Sequence, residues 1–174
     1  MPASRDGEAT KNPANGRRAW SARVGLILGS AAVFMRSRPT RLLVVEDDPE
    51  MRSLLAGVLS RDGYEVMQAA SGNEAIEALR RSLDVRFLMP DMLVMDVRMP
   101  GPSGLHVLKA LRAAGWSVPV VLVTGFGSVE LHREASGFGP VLVLDKPFDL
   151  DDLRAAIISL ASARVEGAPP ATQL

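Results

Sequence analysis

The sequence predicts an α/β domain: a parallel five-stranded sheet with helices on both faces. Three observations lead there. Short apolar runs recur along the body and read as strands buried on both sides. Segments with apolar residues at three- and four-residue spacing separate them and read as helices. Strand and helix alternate five times, which implies parallel strands joined by helical crossovers.

Taken in order, Arg41 to Val45 (RLLVV) is the first strand and ends at Glu46-Asp47-Asp48-Pro49. Asp48 suits a helix cap and Pro49 a first turn. The stripe Met51, Leu54, Leu55, Val58 and Leu59 is the first helix, stopped by Asp62-Gly63. Tyr64 to Ala69 is a short alternating strand, and Ser71-Gly72-Asn73-Glu74 opens the second helix. Asp91 to Met95 is the third strand, ending at Asp96, and Met99 to Gly104 is a loop. Leu105, Leu108 and Leu111 mark the third helix, closed by Gly115. Val118 to Val123 is the fourth strand, ending at Thr124-Gly125, with a weak helix over Val129–Ser136 after it. Val141 to Leu144 is the fifth strand, ending at Asp145-Lys146-Pro147. Asp149 caps a last helix carrying Leu150, Leu153, Ile157 and Leu160.

The 174 residues carry 20 basic and 20 acidic side chains, no Cys and two His. A thiolate nucleophile, a disulfide framework and a Cys- or His-rich metal site are therefore excluded. Zero net charge argues against a whole-molecule nucleic-acid binder. The charge is uneven: residues 1–41 sum to +6 and the remainder to −6. Residues 1–39 are expected to be a basic, disordered extension, 40–163 the folded domain and 164–174 a flexible tail. The apolar run Val24 to Met35 spans 12 residues, short of the roughly 18 that a membrane helix needs. A secretion signal and a translation start at Met35 are the other readings of this segment. A cytoplasmic protein without a membrane span is the expectation.

In open parallel sheets, ligands bind beyond the carboxyl ends of the strands. Here those ends carry Glu46 and Asp47, Asp96, Thr124 and Lys146. Carboxylates drawn together resist ionisation beside one another. A divalent, oxygen-seeking ion such as Mg²⁺ relieves that conflict. Lys146 offers a positive charge and Thr124 a hydroxyl donor, which suits a phosphoryl group. The set points to phosphoryl transfer onto a carboxylate.

The motifs Leu43-Val44-Val45-Glu46-Asp47-Asp48-Pro49, Val94-Met95-Asp96-Val97-Arg98-Met99-Pro100-Gly101, Val123-Thr124-Gly125 and Lys146-Pro147-Phe148 together resemble the receiver domain of bacterial two-component response regulators. The resemblance covers about residues 40–163. It implies a flavodoxin-like sheet of order 2-1-3-4-5 and a cis Lys146–Pro147 bond. It implies Asp96 as phosphoacceptor, with Lys146 and Thr124 contacting the phosphoryl group. It implies Mg²⁺ held by Glu46, Asp47, Asp96 and the backbone carbonyl of Arg98. Its partners would be a sensor histidine kinase or a histidine phosphotransfer protein, and an unidentified downstream protein. Such a module is a signalling phosphoacceptor and not a turnover enzyme.

With 11 residues after Ala163, a stand-alone receiver is expected, a monomer or a transient dimer. Two departures from the family pattern stand out. Val143 occupies the place, three residues before the lysine, where an aromatic is usual, and residues 80–90 form a longer connection. Arg98 and Phe126 flank the site and by analogy tune the lifetime of the phosphoryl group. Val143 supports the alternative of a non-switching pseudo-receiver, a constitutive protein-interaction module. A Mg²⁺ phosphohydrolase is disfavoured by Arg98, which stands where a second Asp would act. A flavin site is disfavoured by the lack of a phosphate-cradling loop after the first strand. His106 and His132 read as surface residues.

Overall fold

The computed structural model describes residues 39–84, 89–125 and 127–166, with side chains omitted at 83, 84 and 164–166. The expectations for the basic extension, the tail and Phe126 lie outside the described residues, as do residues 85–88 of the long connection. Five parallel strands form one sheet: β1 (Arg41–Val45), β2 (Glu65–Ala69), β3 (Met92–Asp96), β4 (Val120–Thr124) and β5 (Val141–Asp145). Their order is β2-β1-β3-β4-β5, as the resemblance implies. Between and after them run α1 (Pro49–Arg61), α2 (Gly72–Asp84), α3 (Gly104–Ala113), α4 (Val129–Ser136) and α5 (Leu150–Glu166).

Strand side chains alternate between faces, and two cores follow from that period. Leu42, Val44, Met92, Val94, Val121 and Val123 face Leu55 and Leu59 of α1 and Leu153, Ile157 and Leu160 of α5. Leu43, Val45, Leu93, Met95, Val120 and Leu122 face Leu79 of α2, Val107 and Leu111 of α3 and Ala135 of α4. The central strands β3 and β4 are buried along their whole length, whereas β5 at the edge is only half covered.

Local chemistry sets the ends of the helices. Asp48 Oδ1 accepts the Met51 N–H at 2.7 Å. Ser71 Oγ accepts the Glu74 N–H while Glu74 Oε2 accepts the Ala70 N–H, a reciprocal cap. Gly63 and Gly115 take positive φ of 93° and 78° where α1 and α3 hand over to the next segment, a conformation Gly adopts without penalty. The fourth strand begins at Val120 and not at Val118. Pro119 has no N–H to give the ladder, and its carbonyl instead accepts the Leu93 N–H at 3.0 Å.

At the amino ends of the strands, Arg112 fixes three chain segments together. Its guanidinium donates to the carbonyls of Phe138, Trp116 and Val118 at 2.6, 2.6 and 2.9 Å. Burial there pulls its pKa below the usual arginine value.

Leu93, with no exposure on β3, and Leu142, exposed at 37% on β5, should respond differently to truncation. Leu93→Ala should lower the unfolding free energy by about 2–5 kcal/mol. Leu142→Ala should cost under about 1 kcal/mol. Urea unfolding of both variants measures the difference.

Candidate functional site

Strand periodicity explains how the polar residues meet. Val45 pairs with Met95 and Asp96 with Val123, so Glu46 and Asp96, each the next residue in its chain, lie level with one another on adjacent strands. Both continue the face that carries Leu42, Val44, Met92 and Val94, the α1/α5 face. Thr124 pairs with Asp145, which brings Lys146 to the same end of the sheet. The Lys146 N–H donates to the Thr124 carbonyl at 2.7 Å and fixes the main chain there.

The side chains converge. Lys146 Nζ donates to Asp96 Oδ2 at 2.5 Å and to Glu46 Oε2 at 2.9 Å. One carboxylate oxygen from each of Glu46, Asp47 and Asp96 lies within 4.8 Å of the other two. Glu46 and Asp96 are 3% and 7% exposed, whereas Asp47 is open to solvent. Thr124 is buried at the end of β4. The N–H of Arg98 donates to Asp96 Oδ1 at 2.7 Å, so both oxygens of Asp96 are engaged. Thus the five side chains singled out by sequence gather at one end of the sheet. The Lys146–Pro147 bond is cis.

Desolvation and then the neighbouring Asp96 charge hold Glu46 above the usual carboxyl range, against the pull of Lys146 and of the Asp48 N–H. Desolvation pulls Lys146 down, but its hydrogen bonds to Asp96 and Glu46 outweigh that and hold it above the ordinary lysine value. The site is an acidic cluster with one ammonium, and Glu46 still bears an electrostatic cost there. Oxygen-only donors at this spacing fit a hard divalent cation such as Mg²⁺ better than zinc.

Two supports were not read from the sequence. Arg52 on α1 donates through Nη1 to the carbonyls of Glu46 and Asp47 at 2.7 and 3.3 Å, holding the backbone of the acidic pair. A basic residue one helical turn past the cap is the only local signal for it. Gly104 opens α3 directly over Asp96: a Cβ there would overlap the Asp96 carbonyl oxygen. Beside the cluster, an open cleft of about 600 Å³ is lined by Glu46, Asp48, Glu50, Met51, Leu54 and Lys146. Among the described residues, no helix is long and apolar enough to cross a membrane.

Comparison with known proteins agrees with this geometry. The family model described as the response regulator receiver domain matches residues 42–158. Sporulation initiation phosphotransferase F of Bacillus subtilis is 29% identical over 117 residues, covering 67% of this chain and 90% of that protein. Response regulator MprA of Mycobacterium leprae is 38% identical over 120 residues. That match covers 69% of this chain, and the chain spans only half of that longer relative. Among solved structures, the response regulator protein TrrA of Thermotoga maritima, in complex with Mg²⁺ and BeF, superposes with a TM-score of 0.60 at 29% identity. It covers 70% of this chain and 98% of that one.

The raised pKa of Glu46 carries a sign. Between the ordinary carboxyl pKa and the raised one, the folded state binds more protons than the unfolded state, so stability falls as pH rises. Above that window the whole cost of the ionised group is present. Glu46→Gln should therefore melt at a higher temperature than the wild type at pH 7 without added metal. The gap should close as pH falls below the ordinary carboxyl range. Thermal melts of both proteins from pH 4 to 8 measure it.

Proposed function

Because the chain belongs to the response regulator receiver domain family, whose members are signalling phosphoacceptors, we propose that Asp96 accepts a phosphoryl group from the phosphohistidine of a sensor histidine kinase or a histidine phosphotransfer protein. The observation that carries this reading is the Lys146 ammonium seated on Asp96 Oδ2, with Glu46 and Asp47 oxygens alongside.

An oxygen of the Asp96 carboxylate attacks phosphorus in line. The phosphorus–nitrogen bond to the donor imidazole breaks, and its electron pair returns to that ring nitrogen. Lys146 meets the negative charge spread over the equatorial phosphoryl oxygens. The Arg98 N–H holds the remaining carboxylate oxygen in orientation. Thr124, buried at the end of β4, supplies a hydroxyl that turns toward the new phosphoryl oxygens once they are in place. Glu46, Asp47, Asp96 and the Arg98 carbonyl would hold Mg²⁺, which when bound neutralises charge developing on the transferring phosphoryl group. The added charge of about −1.5 to −2 biases the surface of α4, β5 and α5 between two states, which a partner protein reads.

A second reading is a pseudo-receiver that binds its partner without switching. Val143 favours it: this residue sits half-buried against the α2–α4 core where an aromatic would otherwise report the change. On that reading, partner binding is the same for the wild type and for Asp96→Ala.

Treatment with acetyl phosphate and Mg²⁺ should add one phosphoryl group to the wild type, read as intact mass. Asp96→Asn should take up none, and Lys146→Ala should react about 10²-fold more slowly, as expected for loss of one preorganised charge donor. A wild type that gains no mass would overturn the proposal. Mg²⁺ alone at about 100 times its Kd should stabilise the wild type by about 2.7 kcal/mol, and Asp47→Ala should lose most of that gain in a thermal melt.

A further inference from the structure

The last residue of β5 and the first residue beyond it point in opposite directions. Lys146 reaches the acidic cluster on the α1/α5 side. Asp145, one residue earlier, continues the side of Val141 and Val143, which packs under α2, α3 and α4. There its carboxylate meets α4: His132 Nε2 lies 3.3 and 3.1 Å from Asp145 Oδ1 and Oδ2.

A second contact converges on the same carboxylate. Gly127, just before the Ser128 cap of α4, packs so closely on Asp145 that a Cβ at this position would overlap Oδ1. The short Asp145 side chain therefore has both the entry to α4 and a residue within α4 resting on it. Otherwise α4 is thinly held. It has eight residues, Ala135 is its buried residue, and Val129 is 69% exposed. A further polar anchor is the Lys109–Glu134 ion pair to α3, at 2.6 Å.

We propose that Asp145 and His132 form a tie that couples α4 to the phosphoacceptor site through Lys146. The proposal rests on Asp96 being the phosphoacceptor. When Lys146 follows new phosphoryl oxygens, the strand end turns with it, and Asp145 is moved relative to His132 and Gly127. The tie works where Val143 leaves no large ring to carry a signal across this layer. Both partners are near half exposed, at 43% and 55%. Such a pair is weak, which suits a switch whose states differ by little: a strong tie would hold α4 in one place.

The test compares wild type, His132→Gln, Asp145→Asn and Gly127→Ala. Gly127→Ala keeps every charge and displaces the Asp145 carboxylate by contact alone. Amide hydrogen exchange over residues 129–136 is read with and without acetyl phosphate plus Mg²⁺, and intact mass gives phosphoryl uptake on the same samples. In the unmodified state each variant should exchange about threefold faster in α4 than the wild type, the effect expected for an exposed pair. Phosphorylation should change α4 exchange in the wild type and change it less in the variants, all of which should still take up one phosphoryl group. Phosphoryl uptake with α4 exchange equal in wild type and all three variants overturns the tie alone. No uptake by the wild type overturns the phosphoacceptor reading and the coupling with it.

Discussion

One ammonium group holds the functional end of this molecule together. Lys146 touches Glu46 and Asp96, residues 100 and 50 positions away in the chain. Two buried carboxylates this close would repel, and each would resist ionisation. The lysine makes the arrangement tolerable without fully relieving it, since desolvation and the Asp96 charge still hold Glu46 above the usual carboxyl range. The residual imbalance supports the proposed function. The site favours added positive charge, and a group replacing the lysine's present partners must itself carry oxygens that accept from Nζ.

That single contact can form only because the strands are held in register. Glu46, Asp96 and Lys146 share a face because strand side chains alternate and because the register sets Val45 beside Met95, Asp96 beside Val123 and Thr124 beside Asp145. Below the cluster the central strands β3 and β4 are apolar and buried, so the ladder there stabilises a polar cluster that would not assemble alone. Small residues and main-chain contacts finish the fit. Gly104 lets α3 begin over the Asp96 carbonyl, and Arg52 keeps the Glu46–Asp47 backbone in place.

Much of this was legible in the sequence, and for a common reason. Buried strands are continuous apolar runs, so a polar residue ending such a run declares where the sheet meets solvent. Glu46, Asp96, Thr124 and Lys146 could be read that way, as could the Asp48 cap. Groups that act across the fold left no such mark. Arg52 resembles any exposed helix residue until its guanidinium is seen on two carbonyls. His132 read as a surface residue, which its exposure bears out, but its pairing with Asp145 depends on which face of β5 lies under α4. The strand ends shifted by a residue or two, as at Val120, because Pro119 cannot donate to the ladder.

The two poles of the sheet are built on opposite terms. At the pole away from the acidic cluster, the Arg112 guanidinium staples the turn after α3, the approach to β4 and the turn before β5 into one block. Three donors on one rigid planar group leave those segments little freedom to slide. In the coupling proposed above, a pull on β5 from the cluster would therefore meet a chain held just before the strand, at Phe138. Such a pull would turn the strand about that held end, with most displacement where β5 leaves the sheet, and β5 would then act as a lever rather than a piston.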